Sequence, residues 1–350
     1  MPLRKPDAAT PAAQGYRLPA EWEPHAATWL CWPQNASDWP GRFAPIPWVF
    51  AEIVRHVAEG EAVRVLVGSE KTKARATAVL AKAHALSAGV DFVRSPTNRG
   101  WLRDSGPMFL TRTDGTTRLA ACFGFNAWAK YPDHRLDAQT PQAIARAANV
   151  PARSVERNGR RVVLEGGAIE VNGQGTLVTT EECLLDPAVQ VRNPGFTRAD
   201  YEALFRDELW VTSTLWLGRG IAGDDTHGHV DDLCRFVNKT TVVLCRESDP
   251  SDENYRPLEE NRERLQGLRL ADGSRIEVAD LPMPRPVRFR GQRLPASYAT
   301  SIRPTRPCWC PPSTTPTTAQ HSASWPRSST GPWSASTPWT WSGAWAPCIA

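Results

Sequence analysis

The run from Gly218 to Phe236, Gly-Arg-Gly-Ile-Ala-Gly-Asp-Asp-Thr-His-Gly-His-Val-Asp-Asp-Leu-Cys-Arg-Phe, holds four glycines, four aspartates and two histidines before it turns apolar. Glycine lets a backbone turn tightly or approach a ligand closely. The apolar positions Val230, Leu233, Cys234 and Phe236 predict a strand leaving that loop. On a strand, His229 and Asp231 share a face, because they lie two apart. An imidazole beside a carboxylate does general acid–base work or grips a cation. The same run also reads as a metal site of His227, His229 and aspartates, or as a polar turn. Two other junctions carry charge where a polar loop opens into an apolar strand, Trp101-Leu102-Arg103-Asp104 and Leu164-Glu165-Gly166-Gly167. Taken alone, Glu165 reads as a solvated hairpin carboxylate and Asp104 as a surface partner of Arg99 or Arg103. Together the three junctions describe a pocket of two carboxylates, one histidine and a third carboxylate to orient it. Such a pocket suits a planar cation, since carboxylates pair with guanidinium through parallel hydrogen bonds.

The elements that must position these residues alternate along the chain. Thr28 to Cys31, Val63 to Val67, Val90 to Val93, Leu119 to Phe125, Leu209 to Leu217, Thr240 to Cys245 and Arg275 to Val278 read as strands. Helical spacing falls on Pro47 to Ala58, Glu70 to Leu86, Pro141 to Ala148, Thr197 to Phe205 and Asn254 to Leu268. Arg161 to Thr180 reads as a hairpin turning at Asn172-Gly173. The cadence of strands, helix, strand recurs, which predicts a mixed α/β fold of similar modules.

At 350 residues the chain can bury a substantial core in one large domain or two. The formal charge of +4, with no Lys/Arg run, gives no electrostatic support for nucleic-acid or membrane-surface binding. No apolar run approaches the ~20 residues of a membrane helix. Residues 1–15 are Pro/Ala-rich and read as a disordered tail, neither signal peptide nor anchor. Eight scattered cysteines suit reduced, buried thiols in a cytoplasmic protein. Cys308-Trp309-Cys310 lacks the gap of a zinc knuckle.

The blocks PAEWEPHAATWLCWP, WLRDSGP, LEGGAIEVNGQGTLVTTEECLL, WLGRGIAGDDTHGHVDDLCRF and LPASYA, in that order from about Pro19 to Ala299, resemble the agmatine deiminases and bacterial-type peptidylarginine deiminases. These are members of the guanidino-group-modifying (pentein) superfamily. The resemblance implies a five-module α/β propeller of ββαβ units over residues 16–299, around a polar central site. It implies that Asp104 and Asp231 hold a substrate guanidinium, that His229 is the general acid–base, and that Glu165 hydrogen-bonds and orients it. It further implies a cysteine nucleophile near the C-terminus, no metal or organic cofactor, and agmatine as a small-molecule substrate converted to N-carbamoylputrescine in putrescine biosynthesis. It leaves a homodimer open. Free or peptidyl arginine is the alternative substrate, and a non-catalytic guanidino-binding remnant the alternative of another class. An acidic far end, from Glu23, Asp224 or Asp225, would favour agmatine.

The expected nucleophile segment, Gly-x-x-His-Cys-like, is not in the sequence. From Pro307 to Ala350 there is no Asp, Glu, Lys, Val, Leu, Phe or Tyr, while Trp recurs at 309, 325, 333, 339, 341 and 345. Codons for Pro-Thr-Phe-Asn-Asp-Pro-Asn-Asp, preceded by GTG and read one base late, give Cys310 to Thr318 as found. Codons for Asp-Leu-Val-Trp-Gly-Leu-Gly-Thr-Leu-His-Cys, read one base late, give Thr340 to Ala350. Residues 300–350 therefore read as an out-of-frame, poorly ordered tail. On this reading the last module is disrupted, Cys348 is a by-product, and the chain is inactive for want of its nucleophile.

Overall fold

The computed structural model describes residues 10–115 and 117–301. Its first unit alternates strand and helix. Strands β1 (Thr28–Cys31), β2 (Val63–Val67) and β3 (Val90–Arg94) run parallel, with α1 (Ile46–Val57) and α2 (Glu70–Lys82) as the crossovers. β2 buries Val63, Val65, Leu66 and Val67, the near-continuous apolar run of a parallel strand covered on both faces. α1 turns one stripe inward, Ile46, Phe50, Ile53, Val54 and Val57, and carries a proline in its first turn, where no backbone donor is lost.

Three further units share the order strand, strand, helix, strand. They are β4 (Met108–Arg112), β5 (Arg118–Cys122), α3 (Thr140–Ala147) and β6 (Ala152–Ser154); then β7 (Glu170–Val171), β8 (Thr176–Thr180), α4 (Glu181–Leu185), α5 (Arg198–Leu209) and β9 (Ser213–Leu217); and then β10 (Cys234–Phe236), β11 (Thr241–Arg246), α6 (Tyr255–Leu265) and β12 (Glu277–Pro282). In each, an antiparallel hairpin precedes a helical crossover to a third strand parallel to the second. α5 starts at a capping box in which Thr197 and Asp200 satisfy each other's backbone donors. Residues 302–350, where the expected disrupted module and out-of-frame tail fall, lie outside the described residues.

Four expectations shift. Residues 10–15 are not a loose tail: they form a turn, tied to α5 by Ala12 N donating to the Asp207 carbonyl at 3.1 Å, and lead to a short strand, Tyr16–Arg17, on the β4 edge. α2 stops at Lys82 because His84 takes a left-handed conformation (φ 53°) and Ala85 N bonds back to the Leu80 carbonyl, closing the helix end. The hairpin predicted from Arg161 pairs only from Glu170, since the Gly166-Gly167 pair coils the backbone first. Finally, the loop before β4 contains a helical turn, Leu102–Ser105.

That turn has counterparts. Gly166–Ala168 precedes β7 and Val230–Asp232 precedes β10, so each hairpin unit is approached through one short helical turn. The three turns pack in series. No helix among the described residues is long and apolar enough to cross a membrane.

Candidate active site

The turn before β10 is held by Asp224. Its Oδ2 accepts the backbone donors of Gly228 (2.7 Å) and His229 (3.0 Å), and its Oδ1 accepts the backbone N–H (2.7 Å) and the hydroxyl (2.6 Å) of Thr226. Thr180 donates its hydroxyl to the Gly228 carbonyl at 2.5 Å and so fastens the loop to the end of β8. The strand begins only at Cys234, so His229 and Asp231 are not on a strand as expected. The coil over 230–232 still brings their side chains together, with His229 Nδ1 3.9 Å from Asp231 Oδ1.

Asp104 comes from the turn before β4 and lies 3.8 Å from the same Nδ1. Its oxygens accept from Gly167 N and Trp128 Nε1, each at 3.1 Å. Glycine is required at 167: a Cβ there would stand 2.4 Å from His229 Nδ1. Glu165, just ahead of the same turn, is wholly buried, and its Oε1 accepts Arg192 Nε at 3.1 Å. The implied Glu165–His229 hydrogen bond is not formed. Donor atoms of Glu165, His229 and Cys183 instead lie within 4.8 Å of one another, while Glu165 Oε2 and His229 Nε2 are buried without a hydrogen-bond partner among the described residues. Asp231 meets Arg103, Oδ2 to Nε 3.3 Å, and the half-buried Arg103 and Glu21 join the buried Arg235 and Glu170 in an ion lattice.

Burial, then the neighbouring Asp231 and Glu165, push the Asp104 carboxyl up to about 8. Burial also raises Asp231, against the pull of Arg103 and Arg235. The imidazole of His229 is driven well below its ordinary value by burial, then by Arg192 and Arg103. At neutral pH a protonated Asp104 therefore sits beside a neutral imidazole. A flat cation entering between Asp104 and Asp231 would supply the missing countercharge, and the imidazole is in the form that accepts a proton.

Three residues of this arrangement escape sequence reading. Arg192 is fully buried and bridges Glu165 to the carbonyls of Gln190 and Thr226; its neighbour Asn193 clamps Val163 through both amide groups. Trp128 reaches Asp104 from a turn in which Ala127, Trp128 and Ala129 all have positive φ (50°, 59° and 53°), with no glycine to betray it. Cys183 is carried under the site by α4, capped where Thr180 Oγ1 accepts Cys183 N at 3.1 Å. His227 faces Asp186 and Glu182 and takes no part in the cluster of potential metal ligands around His229. The acidic far end expected from Glu23, Asp224 or Asp225 is also otherwise engaged: Glu23 pairs with Arg17, Asp224 shapes the loop, and Asp225 is bound by Lys130 and Tyr131. A cavity of about 390 Å³ opens beside Arg103 and Gly166, but its mixed polar and apolar lining, Glu21, His25 and Glu170 included, holds none of the four predicted site residues.

Known proteins share this arrangement of sequence. The chain is 36% identical over 284 residues to the agmatine deiminase of Stutzerimonas stutzeri (strain A1501), spanning 80% of this chain and 73% of that one. It is 35% identical over 280 residues to the agmatine deiminase of Pseudomonas aeruginosa (strain LESB58), with the same shares. Among solved structures, the agmatine deiminase of Enterococcus faecalis superposes with a TM-score of 0.76 at 26% identity, over 85% of this chain and 84% of the other. A cysteine-to-serine variant of the C. jejuni agmatine deiminase with substrate bound gives 0.70 at 26% identity, over 82% and 80%. These likenesses define the class, hydrolases acting on carbon–nitrogen bonds. The chain belongs to the Porphyromonas-type peptidyl-arginine deiminase family, whose model matches residues 17–305.

Proposed function

We propose that residues 16–301 form the guanidinium-binding and proton-transfer half of an agmatine deiminase site, within a five-module propeller. Asp104 and Asp231 accept the in-plane N–H groups of the guanidinium, His229 moves the proton, and Glu165 steadies the imidazole once substrate fills the site. The observation that carries this reading is the convergence of three turns from three units, with His229 Nδ1 3.8 and 3.9 Å from the two aspartates. In the complete reaction a cysteine thiol gives its proton to His229 as its sulfur bonds to the guanidinium carbon, and ammonia leaves with that proton. Water then cleaves the resulting amidino-thioether, giving the ureido product N-carbamoylputrescine and freeing the thiolate. The agmatine deiminases among the relatives support agmatine as the substrate. The family match ends at residue 305, where the composition changes, which supports an out-of-frame tail and the loss of the nucleophile from this chain.

The test compares the 350-residue chain with one whose frame is restored after Ala299, on agmatine, free arginine and an arginyl peptide. The expected result is ammonia release from agmatine by the restored chain alone. Turnover of agmatine by the 350-residue chain would contradict the lost nucleophile, and a preference of the restored chain for the peptide would replace the substrate.

A further inference from the structure

Cys183 has no part in the chemistry above, yet it lies where two buried polar atoms lack partners. One donor atom each from Glu165, Cys183 and His229 falls within a 4.8 Å span. The three residues are 0, 3 and 3% exposed. They come from different elements: the segment before the 166–168 turn, helix α4, and the loop before β10. Thr180 fixes two of them relative to each other, through Cys183 N and the Gly228 carbonyl. Within the cluster, Glu165 Oε2 and His229 Nε2 have no hydrogen-bond partner among the described residues, and Arg192 occupies only Glu165 Oε1.

We propose that Glu165, Cys183 and His229 form a binding site for one zinc-class divalent cation. A thiolate, an imidazole and a carboxylate are the donor set that a borderline-soft ion such as Zn²⁺ selects, and three protein ligands leave a fourth position for water. Zinc–ligand bonds of about 2.0–2.3 Å demand donors closer together than 4.8 Å, so the cluster closes by about 1 Å around the ion. The carboxylate offers its vacant oxygen, so the Arg192 bond survives. Arg192 is the charge that opposes the cation, and the Cys183 thiolate formed on binding offsets it. Binding takes Cys183 as its thiolate and releases one proton to solvent, with no change of oxidation state. An ion so held removes Glu165 and His229 from proton transfer, so zinc acts as an inhibitor of the guanidino reaction, not as its cofactor. The site itself does not depend on the deiminase reading, and its test uses metal alone.

The experiment titrates the full 350-residue chain, with Cys308, Cys310 and Cys348 replaced by serine, first with Zn²⁺ against a chromogenic chelator and then with Co²⁺ followed by absorption. The expected result is one Zn²⁺ per chain and a thiolate-to-Co²⁺ absorption band. C183S should abolish the band, and both C183S and E165Q should weaken Zn²⁺ by at least roughly tenfold. Circular dichroism identifies which variants are folded, and E165Q decides if C183S is not. Stoichiometry well below one on folded protein, or affinity unchanged in a folded C183S or E165Q variant, overturns the proposal.

Discussion

The proposed function makes Asp104 the residue that sets how the site responds to pH. Its carboxyl is pushed up to about 8 by burial first and by Asp231 and Glu165 next. A guanidinium favours the ionised form, so binding expels the proton. Agmatine affinity is therefore expected to rise as pH goes from about 6 to 9, by up to tenfold per unit below the midpoint, with proton uptake by buffer visible in calorimetry. Asp104→Asn should weaken binding and flatten that profile. Stability moves the other way. A folded-state pKa above the unfolded one contributes stability that is complete below about 4 and lost as pH rises through about 8. The melting temperature of Asp104→Asn should thus exceed that of wild type by a margin that widens between pH 5 and pH 9. Asp104, Glu165, His229 and Asp231 stood out in the sequence only when the three charged junctions were read together, and the roles proposed for them came from the family resemblance. Arg192 did not stand out, since an arginine beside an asparagine looks like any surface cation until its guanidinium is placed against Glu165.

At the scale of elements, the short turns before β4, β7 and β10 do the positioning, and glycine makes their close approach feasible. At Gly166 a Cβ would stand 2.2 Å from the Arg103 carbonyl, and at Gly167 2.4 Å from His229 Nδ1. Gly167→Ala should push the imidazole off Asp104, and a frame-restored enzyme carrying it is expected to lose more than tenfold in kcat/KM while staying folded; unchanged kinetics would show that the approach is not needed. The turn bearing Trp128 holds three consecutive non-glycine residues at positive φ. Ala129 is exposed, so Ala129→Gly loses no packing and should stabilise the fold by roughly 0.5–1 kcal/mol in denaturant unfolding. Helix and strand positions were legible from periodicity, but these turns were not. The period of two assigned to His229 and Asp231 gave the right neighbours for the wrong reason: side chains converge on a three-residue coil as they would on a strand face.

For the molecule as a whole, the repeated order of strand, strand, helix, strand was legible, and three units carry it. The first unit departs, with three parallel strands and no hairpin, because a helical crossover follows each of its first two strands. The convergence of the three turns is a property of how their units pack together and could be reached from sequence only through the family resemblance. That convergence is also what most needs measuring. Calorimetric titration of agmatine and of putrescine, which has the amines but no guanidinium, into the chain carrying either tail at pH 9 addresses it directly. The account predicts that agmatine binds, that putrescine does not, and that Asp231→Asn or Asp104→Asn abolishes the difference. Equal binding of the two amines, or agmatine binding indifferent to both substitutions, would contradict it.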